Sequence, residues 1–118
     1  MHETPYDSLY EVIVAAKDRH LPELRDALAD EDPVRRNERL QTQWMYVTNT
    51  LDIYATFLQN GPELPDTARI RISCLHESLR GISTELGERR DNIEGLLAIA
   101  EGAANDAVFM VEPLAGKK

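Results

Sequence analysis

The side chains that most often do chemistry are few in this chain and do not converge. There are three histidines, His2, His20 and His76, and one cysteine, Cys74. A metal site needs three or four converging ligands. His76 and Glu77 are adjacent, but no second histidine or cysteine falls four residues from either on the same helical face. Cys74 is two residues from His76 and projects from another side. A reactive thiol needs a helix N-terminus or a cation beside it. Cys74 instead adjoins the apolar pair Ile72 and Leu75 in mid-helix and reads as a small buried hydrophobe. Ser73, Ser78 and Ser83 lack the glycine-flanked elbow of a hydrolase nucleophile. The glycines from Gly81 to Gly102 never fall in the order of a phosphate loop. The carboxylates are scattered. The expectation is therefore no catalytic residue, no metal, no cofactor and no enzyme activity.

The aromatic residues carry more information. Trp44, Tyr46, Tyr54 and Phe57 fall within one stretch of fourteen residues. Large rings with a polar edge anchor many protein interfaces. Leu40, Trp44, Val47, Leu51, Tyr54 and Leu58 step by four and three residues in turn, an apolar seam that a helix must lay against another helix. That set is expected to be core seam or dimer interface. Met45 and Tyr46 lie off the seam, and Met45, Ile53 and Phe57 share a flanking face. Phe109 and Met110 give the last helix an apolar end. Met45, Tyr46, Phe57, Phe109 and Met110 are the candidate partner-binding residues.

These residues require helices to position them. Ala68, Ile72, Leu75, Leu79, Ile82 and Leu86 form a second seam, and Ile93, Leu97, Ala100, Ala104, Ala107 and Val111 a third. Asp7 or Ser8 is placed to cap a first helix on which Leu9, Ile13 and Ala16 share a face. Pro22 disfavours helical backbone at the residue before it, so a bend is expected at His20-Leu21. A short second helix then turns Leu21, Leu24 and Leu28 inward. Asp32 followed by Pro33 is a strong helix start. Gly61, in the left-handed conformation, and Pro62 are expected to stop that helix, which then runs about 40 Å at 1.5 Å per residue. The next helix begins near Pro65-Asp66-Thr67, with Leu64 or Asp66 at the cap. Gly87 and Asp91-Asn92 suggest a break. The remainder therefore reads as two helices, 67–87 and 91–111, against the alternative of one long helix. Gly95 and Gly102, seven residues apart, would permit close packing within the monomer or across a dimer.

Together these signals predict an all-α protein of 118 residues in one domain. It is expected to be a small bundle of four to five helices with one long central helix, and flexible ends at 1–6 and 113–118. A long helix with two apolar faces points to a helical homodimer. The net charge is −8. It is concentrated in residues 1–33, at −6, whereas residues 34–60 carry +1. Arg35, Arg36 and Arg39 are the only local basic cluster and read as a solvated helix start. An acidic chain with no basic stripe argues against direct nucleic-acid binding and against an anionic membrane surface. No apolar run approaches the length of a membrane span, and nothing resembles a signal peptide, so a cytoplasmic location is expected.

The expected function is that of a small acidic regulatory protein. It would bind and inhibit or sequester another protein, such as a transcription regulator, through a helical surface. The alternatives are a secretion or assembly chaperone holding an export substrate, and an immunity or phage-type inhibitor. A chaperone would hold an unfolded segment, whereas an inhibitor would cover a folded target.

Overall fold

The computed structural model describes residues 5–88 and 92–116. Every regular element among them is helical. α1 (Asp7–Ala15), a π-helical segment (Ala16–His20) and α2 (Leu21–Leu28) run without interruption; α3 spans Pro33–Asn60, α4 Asp66–Gly87 and α5 Ile93–Val111. The described residues thus form four continuous rods in a body of 45 × 25 × 20 Å. α4 touches α3 and α5, and the rod made by α1 and α2 touches the same two helices. Among the described residues the backbones of α3 and α5 do not come close to each other, although both helices feed the same core.

The expected break at Pro22 is a correction. His20 (φ −71°, ψ −44°) and Leu21 (φ −69°, ψ −44°) keep helical backbone. A proline ring in a regular helix collides with the carbonyl four residues back. Here the turn before it is widened, and Leu21 N–H donates to the Ala16 carbonyl five residues back. The π turn takes up the proline without ending the rod.

α3 starts as its sequence dictates. The Asp32 carboxylate accepts from Val34 N–H at 3.0 Å and Arg35 N–H at 3.3 Å, satisfying two orphan donors. Its end differs from expectation, because Gly61 is extended (φ −78°, ψ −179°) and not left-handed. Pro62 imposes that region on its predecessor. A Cβ at Gly61 would stand 2.6 Å from the Phe57 carbonyl oxygen, so glycine is needed for close approach. At the starts of α1 and α4 the cap positions fall to Tyr6 and Pro65, neither with a side-chain cap bond. Asp7 and Asp66 instead occupy the first turns, where a carboxylate meets the positive end of the helix dipole.

α4 and α5 are separate helices, with Gly87 the last residue of one and Asn92 the N-cap of the other. Asp91 lies outside the described residues. Every member of the second and third seams is buried, and α4 and α5 pack along their length. Ala100, Ala103, Ala104 and Ala107 make the α5 surface narrow enough for that contact. Gly95 and Gly102 do not take part; both are exposed, and a Cβ at Gly102 would meet nothing. Polar links tie the rods together. Arg25 donates both arms of its guanidinium to Glu101 at 2.6 and 3.0 Å. Thr48 and Ser83 hydroxyls meet at 2.8 Å, and Arg69 donates to the Leu58 carbonyl at 2.7 Å.

The described parts of both ends are docked. Tyr6 donates its hydroxyl to the Glu63 carbonyl at 2.7 Å. Leu114 packs on the core and Ala115 is buried. Residues 1–4 and 117–118 lie outside the described set.

Tyr54 is fully buried, and its hydroxyl has no hydrogen-bond partner among the described residues. Burial pushes this phenol far above its ordinary range. A buried polar group without a partner costs about 1–3 kcal/mol. Tyr54→Phe should therefore raise stability by about 1 kcal/mol, read as a higher urea midpoint with an unchanged slope. A lower midpoint would mean that the hydroxyl has a partner in solution.

Candidate functional site

α3 is the element that presents unusual surface. Leu40, Gln43, Val47 and Tyr54 are its buried residues, and Leu51, Phe57 and Leu58 are half-buried against the core. The opposite face is open: Gln41, Met45, Asn49, Asp52, Ile53 and Thr56 are all exposed. Between residues 40 and 60 the only charged side chain is Asp52. In a chain with 29% charged residues, that is a marked depletion. Interface cores are depleted in Lys, Glu and Asp and enriched in aromatic residues and Met. Met45 (56% exposed) sits centrally, with Ile53 two turns along.

Two clefts flank this face. On one side Trp44, 37% exposed, lines a cleft of about 210 Å³ with Gln41, Leu86 and Gly87. Its indole nitrogen lies 3.4 Å from where a Cβ on Gly87 would stand. On the other side Tyr46, 49% exposed, stacks on His20 with ring centroids 5.2 Å apart. A cleft of about 420 Å³ opens there between α3 and the π-helical segment. A smaller apolar hollow of about 230 Å³ is lined by Asp52, Ile53, Thr56 and Phe57.

The candidates singled out from the sequence divide between places. Met45 is on the open face, and Tyr46 and Trp44 stand at its two edges; Trp44, expected in the core seam, is exposed instead. Phe57 is half-buried and reaches that face only through the small hollow. Phe109 is 80% exposed and Met110 half-buried. Both lie on α5, whose backbone does not come close to α3, so they do not join this face. His76 is half-buried beside Tyr54, at 6.3 Å between ring centroids, and Cys74 is half-buried against the core. Sequence reasoning missed Gln43 and the pairing of His20 with Tyr46. Gln43 lies three residues after Leu40 and four before Val47, so its buried position was legible from the seam.

The arginine cluster is partly solvated, Arg35 being 65% exposed, but it is also paired. Arg35 donates to both oxygens of the buried Asp30 carboxylate, at 2.6 and 2.9 Å. Arg39 adds a contact at 3.2 Å, and Arg36 donates to the Asp30 backbone carbonyl at 3.3 Å. The three cations thus fasten the α2–α3 corner. The Arg35 hydrogen bonds foremost, with the Asp32 N–H and Arg39 behind them, hold the Asp30 carboxyl well below its ordinary value. A depressed folded-state pKa gives stability that is complete above the unfolded value of 3.8 and is lost as pH falls below it. Asp30→Asn should melt below the wild type at neutral pH, and the gap should close on acidification below that value. An unchanged gap at low pH would contradict this linkage.

Among the described residues no group of three or more His, Cys, Asp and Glu is placed to hold a metal ion. No described helix is long and apolar enough to cross a membrane. The arrangement offers a ridge of partly apolar surface, with Asp52 as its one charge, between two clefts, a shape suited to protein contact. No known family model, curated protein or solved structure matches the chain.

Proposed function

We propose that this chain is a small acidic regulatory protein of the cytoplasm that acts by binding, not by catalysis. It docks the outer face of α3 onto another protein and thereby inhibits or sequesters it. The observation that carries the reading is the exposed, nearly charge-free face around Met45 and Ile53 on an otherwise strongly charged surface. The acidic body around it steers the chain toward a basic partner surface.

Met45→Ala combined with Ile53→Ala tests the proposal. Neither side chain belongs to the core cluster, so the thermal melt should stay nearly unchanged. Binding to the partner should weaken about tenfold or more. Intact binding in this variant would remove the face from the function.

A second copy of the chain is the other occupant this face fits, because with Asp52 as its one charge it sets little like-charge repulsion between copies; the assembly would then be a homodimeric helical bundle. Light scattering separates the two occupants. A mass near 13.4 kDa leaves the face free for another protein, and twice that mass, abolished by the double variant, assigns it to self-association.

A further inference from the structure

The outer face of α5 carries two large apolar side chains in the open. Phe109 is 80% exposed and Ile99 is 53% exposed, and neither belongs to the core cluster. Two glycines share the face. Gly95, Gly102 and Phe109 are spaced by seven residues, so they fall in one line along the helix. Glycine weakens a helix interior relative to alanine, and packing within the chain does not call for it at either place. A Cβ on Gly102 would meet nothing within 4 Å, and one on Gly95 would meet only the Asn92 carboxamide oxygen, 3.1 Å away at the end of a flexible side chain. Gly81 differs, because the Leu96 methyl groups would stand 3.1 and 3.2 Å from its Cβ in the α4–α5 contact. The two α5 glycines leave room for something outside the chain.

The order of the residues says what fits that room. Gly95 and Phe109 lie seven residues to either side of Gly102. Two copies of α5 packed antiparallel about a two-fold axis at Gly102 bring the two Gly102 backbones together. The Phe109 ring of each copy then lies over Gly95 of the other, so the largest exposed side chain of the face meets a position that has none. Ile99 of each copy falls opposite Asn105 of the other. An unrelated protein would not require equal spacing on both sides of one glycine. Charge agrees with self-pairing. Between Gly95 and Phe109 the only charged residues are Glu101 and Asp106. Arg25 and Arg71 of the same chain already hold them, at 2.6 and 3.6 Å. The face brings little uncompensated charge to a second copy, and a basic partner would find the acceptors taken.

We infer that the outer face of α5 pairs with the same face of a second copy, antiparallel and centred on Gly102. The contact runs for four turns, about 21 Å from Gly95 to Phe109 at 1.5 Å per residue. One helix per copy makes an interface under about 1,200 Å², the class that associates weakly, so the dimer forms and dissociates with concentration. The pairing does not depend on the docking proposal above, because the α5 backbone does not come close to α3. Both α3 faces stay open in the dimer. They are offered together, which raises the effective affinity for a partner that presents two matching surfaces.

Sedimentation equilibrium of the full chain tests the pairing from about 1 μM to about 1 mM, the range in which weak complexes form. The mass should rise from near 13.4 kDa toward twice that value. Two variants locate the contact. Gly102→Ala should raise the urea midpoint of the dilute monomer, because alanine favours the helix and its methyl meets nothing. It should also weaken the dimer about tenfold, because that methyl stands where the two backbones cross. A change that stabilises the chain while weakening its association is not general damage. Phe109→Ala should weaken the dimer to a similar degree and leave the midpoint unchanged, since the ring lies outside the core. A mass near 13.4 kDa throughout would overturn the pairing, as would a dimer that neither substitution weakens. A doubled mass kept in the Met45/Ile53 variant assigns the dimer to α5. One lost in that variant and kept in Gly102→Ala assigns it to α3 and overturns the inference.

Discussion

Leu75→Ala should cost about 2–5 kcal/mol of stability, the range for removing a fully buried leucine and leaving a cavity. Leu75 has no exposed surface and lies on α4, the helix that contacts both α3 and α5. A collapse that filled the hole would have to move one of those helices along its whole seam. Small domains hold about 5–15 kcal/mol in total, so the variant should melt well below the wild type. Urea unfolding is the check: the midpoint should fall and the slope should stay the same. A loss under about 1 kcal/mol would mean that α4 is not central to the core.

Gly61→Ala is the second large effect, and its mechanism is different. The backbone angles there are open to alanine. The obstacle is contact: the new methyl would stand 2.6 Å from the Phe57 carbonyl oxygen and 2.8 Å from the Phe57 Cα. Both are backbone atoms, so no rotamer change relieves the clash. The last turn of α3 must move, and Phe57 and the Gly61-Pro62 corner move with it. Overpacking of this kind costs about 1–3 kcal/mol. Amide exchange should rise in residues 57–61 while the centre of α4 stays protected. A variant as stable as the wild type would place the α3–α4 corner differently.

The helices were legible because their signals agree locally. Asp32 and Pro33 mark a start, Pro62 marks a stop, and the seams through Leu75 and Leu97 keep helical spacing throughout. Pro22 misled because the rule for residues before proline assumes a regular turn, and nothing in Lys17-Asp18-Arg19-His20 announces a π turn. Arg35, Arg36 and Arg39 looked solvated because Asp30, their acceptor, precedes the helix and becomes buried only when α2 packs on α3. The open face was partly legible. Met45 and Tyr46 stood off the seam, but the absence of charge from 40 to 51 and from 53 to 60 acquires meaning only once the exposed side of α3 is known. Phe109 and Phe57 were grouped with them on residue type, and type alone does not place two helices side by side.

The account turns on what covers the outer face of α3. A photo-reactive benzophenone amino acid introduced at position 45, at position 53 and, as a control, at the exposed Glu77 on α4 would address that in living cells. Positions 45 and 53 should yield the same adduct with one other protein, and position 77 should yield none. Adducts joining two copies of this chain, equal yields from position 77, or no adduct from 45 and 53 would contradict the account.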